Sequence, residues 1–129
     1  MGKKKAKNKT NFTIDEAQTA TLMYTEGSPA CSTTHRNGRH YSYPRLEIRM
    51  CVKEALEPAS RTFGTKIGLA KEKKVVCPPD LTPEGKGVWQ VAVSGKRLKR
   101  NLERLSPLIP KYYTDKWKKV WKEGGCSLD

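Results

Sequence analysis

Apolar residues recur along this chain with two different periods, and the switches between them divide it into helices and strands. Thr13-Ile14-Asp15-Glu16 has the spacing of a capping box, a hydroxyl at the N-cap and a carboxylate three residues later. From there Ile14, Ala17, Ala20, Thr21 and Tyr24 repeat at helical spacing, which predicts a first helix over 14–26 with Gly27 as its stop. The small Ala20 and Thr21 would let a second helix approach closely. The period then falls to two. Segments 30–36 and 39–50 flank Asn37-Gly38, a strong hairpin signal because a type I′ turn needs positive φ at both central residues. In the second strand Tyr41, Tyr43, Arg45, Glu47 and Arg49 alternate with Leu46, Ile48 and Met50, so one face packs and the other is free for recognition.

Helical spacing returns over 52–63, where Leu56, Ala59 and Phe63 form the inward stripe and Gly64 the stop. Pro58 removes a backbone donor and clashes with the preceding turn, so this helix must kink there or start late. Segments 65–71 and 88–94 read as a second strand pair, joined by a long, mobile, Pro- and Lys-rich connection over 72–87. Ser94 caps a third helix with Leu98, Leu102 and Leu105 set against Lys96, Arg97, Lys99 and Arg100, and Pro107 ends it. Pro110 opens a fourth, whose Tyr113, Trp117, Val120 and Trp121 are expected to pack on the domain rather than stack on bases. The chain contains no internal repeat. It divides into a flexible basic arm over 1–11, one folded unit over 12–123 and a short tail over 124–129.

Charge narrows the partner. The 129 residues hold 26 Lys and Arg against 13 Asp and Glu, a formal charge of +13, and an anionic polymer is the simplest partner for such an excess. No apolar run approaches the roughly 20 residues needed to span a bilayer, and no strongly apolar helical face accompanies the lysines, so a membrane partner is not expected. The five lysines of the arm, Lys3, Lys4, Lys5, Lys7 and Lys9, fit a solvated tail or added attraction to phosphate. Cys31, Cys51, Cys77 and Cys126 lack a C-x-x-C pair and do not suit zinc, so free thiols in a reducing compartment are expected. With no signal-peptide core at the N-terminus, an intracellular site is expected, whether organelle, nucleus or the cytoplasm of a bacterial or phage host. His35, Asn37 and His40 share letters with an HNH nuclease but bracket one tight turn. Neither Ser32 nor Ser42 has the acidic partner of a triad, and no glycine loop is built to cradle phosphates.

The order helix, two strands, helix, two strands, helix, helix resembles a single-motif LAGLIDADG homing endonuclease. The defining helix of that family ends in an acidic-Gly-Ser run, matched by Thr25-Glu26-Gly27-Ser28. Further matches are Pro44-Arg45-Leu46-Glu47-Ile48, Lys53-Glu54-Ala55-Leu56, Phe63-Gly64, Val91-Ala92-Val93-Ser94-Gly95 and Leu102-Glu103-Arg104-Leu105-Ser106-Pro107. The likeness spans roughly Thr13 to Trp121. Where the family writes LAGLID this chain has Thr19-Ala20-Thr21-Leu22-Met23-Tyr24, and the family's polar strand-end residue falls at Met50, which cannot polarise water.

The resemblance implies an α/β (α+β) domain of order αββαββα(α), with a four-stranded antiparallel sheet forming a DNA-binding saddle. It implies a homodimer through the first helix, with Ala17, Ala20, Thr21 and Tyr24 at the interface. Glu26 would be the catalytic carboxylate and the ligand of Mg²⁺, with Lys111 as a basic helper. The implied activity is site-specific cutting of a long pseudo-palindromic duplex, as by an intron-encoded homing endonuclease, with intron RNA a further partner. The alternation assigns Ser32, Thr34, Arg36, Arg39, Tyr41, Tyr43, Arg45, Glu47 and Arg49 to the DNA-facing surface, with Lys66, Gly68, Lys71, Gln90 and Ala92 from the second strand pair. Arg45 and Arg49 suit guanine and Gln90 adenine, while Glu47 could accept from cytosine or orient an arginine. Any one of these positions also fits an ordinary solvated strand face. Two other readings stay open: an inactive LAGLIDADG-like maturase or DNA-binding protein, and a small basic RNA-associated structural protein.

Overall fold

The computed structural model describes residues 11–70 and 87–126. The arm up to residue 10, Lys71, Cys77, the rest of the 71–86 connection and residues 127–129 lie outside the described residues. Helix α1 (Ile14–Glu26) leads directly into β1 (Gly27–Arg36), and the Asn37-Gly38 turn returns the chain as β2 (Arg39–Met50). A 3-10 turn (Lys53–Leu56) precedes α2 (Glu57–Phe63), followed by β3 (Gly68–Ala70), β4 (Val88–Ser94), α3 (Gly95–Leu105) and, after a second 3-10 turn (Ser106–Leu108), α4 (Lys111–Glu123). The strands form one antiparallel four-stranded sheet in the order β1-β2-β4-β3. This is the mixed α/β architecture with a four-stranded antiparallel sheet that the resemblance implied.

Helices cover one face of that sheet, because only one face is apolar. Leu46 and Ile48 of β2, Val91 and Val93 of β4, Met23 of α1, Leu98, Leu102 and Leu105 of α3, and Trp117 and Trp121 of α4 are all 5% exposed or less. Removing such side chains from water is worth roughly 1.5–3 kcal/mol each. Among the described residues, no helix is long and apolar enough to cross a membrane.

Local chemistry explains most of the boundaries. Thr13 and Glu16 close the capping box, each accepting from the other's backbone N–H at 3.0 Å. Asn37 and Gly38 adopt φ of 52° and 74°, as a type I′ turn requires. Pro58 falls in the first turn of α2, where its missing donor costs nothing, so the helix starts late rather than kinking. Pro29 is tolerated because β1 is an edge strand, and Pro44 because β4 pairs with β2 only from Arg45 onward.

Four expectations need correcting. β1 begins three residues earlier than the alternation suggested, since Gly27, Ser28 and Pro29 already pair with Ile48, Glu47 and Leu46. β3 holds only Gly68–Ala70: the Ser60 hydroxyl donates to the Thr65 carbonyl and keeps that segment on the end of α2, so Lys66 precedes the strand. In α1 the inward residues are Thr19, Ala20 and Met23, whereas Ile14 is 77% exposed and Ala17 and Thr21 also face outward. Asp15 and Glu16 flank that inward face, where Arg61 and Arg104 neutralise them, so the polar residues of the first turn do not mark the outer side; the Thr19 hydroxyl, 3.1 Å from the Thr62 hydroxyl, helps to set the rotation. Finally, Cys31 and Cys126 form a disulfide with Cα atoms 6.4 Å apart, and Cys51 is disulfide-bonded too. The free-thiol basis for a reducing compartment is therefore gone, since such bonds persist mainly in oxidising surroundings.

The disulfide ties edge strand β1 to the residues after α4 across a separation of 95 residues. Closing a loop near that length stabilises a fold by about 4–5 kcal/mol in the chain-entropy picture, with 2–4 kcal/mol more usual. Replacing Cys31 and Cys126 together by Ser should lower the guanidinium unfolding midpoint and steepen the transition slope, because the unfolded chain freed of the cross-link exposes more surface.

Two ion pairs pin α1 to the other helices. Arg104 donates to both oxygens of Glu16 at 2.7 and 3.0 Å while its guanidinium lies 4.4 Å over the Phe12 ring, and Arg61 grips Asp15 at 2.8 and 3.0 Å. The Arg104 hydrogen bond, aided by Thr13, holds the Glu16 carboxyl below its ordinary value of 4.5, and the Arg61 hydrogen bond lowers Asp15 in the same way. A carboxyl whose pKa is depressed on folding stabilises the fold above its unfolded value and loses that contribution as pH falls through the folded one. The thermal midpoint should therefore drop on acidification below pH 4.5, and Glu16→Gln should flatten that dependence while leaving it steeper than in a variant that also lacks Asp15.

Candidate nucleic-acid interface

Strand register decides which side chains share the open face of the sheet. Residues paired directly across antiparallel strands point the same way. Ser32, Thr34 and Arg36 of β1 therefore stand beside Tyr43, Tyr41 and Arg39 of β2, while Gln90 and Ala92 of β4 stand beside Arg49 and Glu47. Every strand position assigned by alternation within these three strands lies on this face, opposite buried Leu46 and Ile48. Gly68 joins it through its pairing with Gln90. Lys66 is exposed but off the sheet, and Lys71 lies outside the described residues. Sequence reasoning missed Ser28, Ala30 and Ser94, which pair with Glu47, Arg45 and Arg45. Extending the β1 alternation backwards from Ser32 would have found the first two.

At the centre of the face the polar side chains are joined. Arg45 Nε donates to Glu47 Oε2 at 2.8 Å, Arg49 Nη2 to Glu47 Oε1 at 3.3 Å, and Arg49 Nε to Gln90 Oε1 at 2.9 Å. Glu47 is the most sheltered of the three charges, with 18% of its side chain exposed against 31% for Arg45 and 42% for Arg49. Its oxygens are engaged by guanidinium groups, which favours the orienting role over acceptance from cytosine. Gln90 has its carbonyl oxygen committed to Arg49, whereas two-point recognition of adenine needs both ends of the amide. Arg36 and Arg39 lie exposed beside the hairpin turn.

His35 and His40 pair across the same hairpin, ring centroids 4.1 Å apart, on the opposite side from this set. Adjacent rings on one turn do not make an HNH centre. Among the described residues, no three His, Cys, Asp or Glu side chains cluster as a metal site.

Glu26 is the last residue of α1, exposed, and directly precedes the strand that lines the polar face. Two residues on, Ser28 sits across from Glu47. The junction is made by Gly27, whose N–H donates to the Met23 carbonyl. The reason for glycine there differs from the left-handed stop that the helix end suggested. Its φ is −75°, an ordinary extended value, but a Cβ would fall 2.1 Å from the Met23 carbonyl oxygen. Gly64, by contrast, ends α2 at φ 70° in the left-handed conformation.

The remaining assigned positions divide. Ala17 and Thr21 are exposed and, with Gln18 and Leu22, line an open depression bordered by Glu54, Ala55 and Pro58. Ala20 is 1% exposed and belongs to the chain's own core, so it presents no interface surface, and Tyr24 packs on Tyr113 with centroids 5.4 Å apart. Met50 also packs against the core. Lys111 is paired with Asp115 at 2.8 Å, and that hydrogen bond raises its pKa, so its ammonium is held charged on the surface of α4.

No protein-family model matches this chain, and no curated protein matches it in sequence. Among solved structures it is similar to the LAGLIDADG homing endonuclease I-GzeII in complex with its DNA target, 13% identical, with a TM-score of 0.44 over 87% of this chain and 33% of that one. It is also similar to the I-LtrWI LAGLIDADG homing endonuclease bound to target DNA, 16% identical, with a TM-score of 0.44 over 76% of this chain and 30% of that one. The chain thus spans about a third of the length of the structures it matches.

The close approach at the α1–β1 junction makes Gly27 intolerant of a side chain. Gly27→Ala should destabilise the fold by about 1–3 kcal/mol, the usual cost of overpacking, measured by chemical denaturation. A stability within experimental error of the parent would show that the junction relaxes freely.

Proposed function

We propose that this chain is a DNA-binding nuclease subunit that lays the polar face of its sheet along duplex DNA and cuts it with a divalent cation held at Glu26. The observation that supports this reading is the placement of one exposed carboxylate, among the described residues without an ion-pair partner, where α1 meets the strand lining a cationic sheet face. A β-ribbon fits the major groove, whose base edges carry an unambiguous code, and a net charge of +13 favours the polyanion.

In this reading each chain would contribute one carboxylate ligand to the metal. Glu26 is a hard oxygen ligand of the kind Mg²⁺ prefers and could hold it together with a neighbouring backbone carbonyl. Bound there, the cation would activate water and stabilise the leaving oxygen. The protein's own part is to position the phosphodiester. Arg36, Arg39 and Arg45 would neutralise phosphates or meet base edges, with Arg49 tied to Glu47 and Gln90 beside them, and the sheet fixes their spacing. A second copy docking through the exposed strip of α1 that carries Ala17 and Thr21 would bring two Glu26 side chains to one duplex, one for each strand.

The deciding experiment uses duplex DNA joining the sequences that flank the chain's own gene. With Mg²⁺ the protein should cut it; chelation with EDTA should stop cutting, and Ca²⁺ should support binding alone. Glu26→Gln should slow cutting at least about a hundredfold, the scale of losing one charge-stabilising group, with binding in Ca²⁺ retained. Undiminished cutting by that variant would take Glu26 out of the mechanism.

Binding should also fall with salt at a log–log slope of about −0.9 per phosphate neutralised. Arg39→Ala should make that slope shallower by about 1 if its guanidinium meets the backbone. Fluorescence-anisotropy titrations at several salt concentrations measure both.

A further inference from the structure

We propose that Glu47 is a positioning residue that aims the free end of the Arg45 guanidinium at one guanine, making Arg45 a specificity-determining contact of the sheet face. The inference rests on the duplex-binding reading above and adds a named base and a division of labour between the two arginines.

Three observations single out Arg45. First, its backbone is held on three sides. It pairs with Ala30 on one side and Ser94 on the other, and its carbonyl accepts from Nε1 of Trp121, itself 1% exposed, at 3.1 Å. Second, its Nε–H is spent on Glu47, while no described residue takes its terminal nitrogens. Two parallel N–H groups at the end of a guanidinium match O6 and N7 of guanine, the commonest specific pairing in the major groove. Third, the side chains flanking it are small. Ala30 and Ser94 stand beside Arg45, and Ser28 and Ala92 beside Glu47, all on the same face. A base edge can therefore reach this pair from either adjoining strand without meeting a taller side chain directly across, while Tyr43 and Arg49 bound it along β2.

Arg49 has a different part. It donates to both Glu47 and Gln90, and it stands beyond the β1 pairing that flanks Arg45, so it serves as a buttress. Glu47 lies between the two guanidinium groups, one oxygen engaged with each. An arginine on a flexible stem gains directional recognition only when its fork is held beforehand, and the carboxylate supplies that restraint. Two arginines against one glutamate still leave the cluster attractive to DNA.

The test is a binding selection from a random-sequence duplex pool in Ca²⁺, using the full chain and its Arg45→Ala, Arg45→Lys, Glu47→Ala and Glu47→Gln variants, each first shown by thermal denaturation to be folded. The parent should enrich a consensus containing a G·C pair whose replacement by A·T weakens binding by roughly 5- to 150-fold, the range of one two-point contact. Arg45→Ala should erase the preference at that pair alone, and Arg45→Lys should do nearly the same, since lysine keeps the charge but lacks the fork. Glu47→Ala should reduce the preference at the same pair while binding non-specific duplex as tightly as the parent or more so, because a negative charge has gone. Glu47→Gln retains an acceptor and should restore part of the preference. A merely structural role for Glu47 would weaken all sequences alike and leave the G-to-A ratio unchanged, which overturns the proposal. So would an unchanged consensus in Arg45→Ala. If the parent retains duplex and only these variants fail to alter the consensus, this inference alone falls; if the parent retains no duplex, the DNA-binding reading falls and this goes with it.

Discussion

Side chains on a strand alternate strictly between two faces, and in this protein that constraint is concentrated in β2. Its Leu46 and Ile48 are fully buried while Arg45, Glu47 and Arg49 between and beyond them face outward. A slip of one residue against β1 or β4 would drive three charges into the core and put the aliphatic side chains in water, a penalty far larger than a domain's net stability. The register is therefore enforced by burial, and the polar face inherits its order. The Asn37-Gly38 turn sets the same register from one end, and the Trp121–Arg45 hydrogen bond holds it from beneath.

Around that strand, two restraints fix what the polar face can present. The close contact between Gly27 and the Met23 carbonyl lets α1 turn into β1 with no intervening loop, which leaves the Glu26 carboxylate at a defined corner of the sheet. The Cys31–Cys126 disulfide fastens the same edge strand to the end of α4, so the strand farthest from the β4 pairing is also covalently held. An edge strand that frays would otherwise blur the spacing of Ser32, Thr34 and Arg36. Site and scaffold thus share their restraints: the residues that stabilise β1 also place the groups proposed to meet DNA.

Legibility varied with the range of the interaction. Thr13 and Glu16, Asn37 and Gly38, and the late start of α2 at Pro58 depend on neighbours a few residues apart, and their chemistry can be read directly. The odd-numbered β2 face was equally plain, because charged residues alternate with aliphatic ones. The rotation of α1 was not, since Asp15 and Glu16 flank its inward face and are neutralised there by Arg61 of α2 and Arg104 of α3, partners distant in the chain. The cysteine pairing could not be read either, because partners 95 residues apart leave no spacing signal. Nor could the links among Arg45, Glu47, Arg49 and Gln90, one of which bridges strands 41 residues apart in the chain.

Local propensity and alternation by themselves determined the elements, their order, the packed and open faces of the central strand, and a cationic surface suited to a polyanion. Only the tertiary structure decided that Glu26 stands exposed beside β1, that Arg45 keeps its terminal nitrogens clear of described residues, that Ala20 is consumed by the core and that Cys31 meets Cys126. The physical reason is that each of those outcomes depends on groups distant in the chain sharing one place. Composition records which groups exist, while packing alone decides which of them are neutralised by a neighbour.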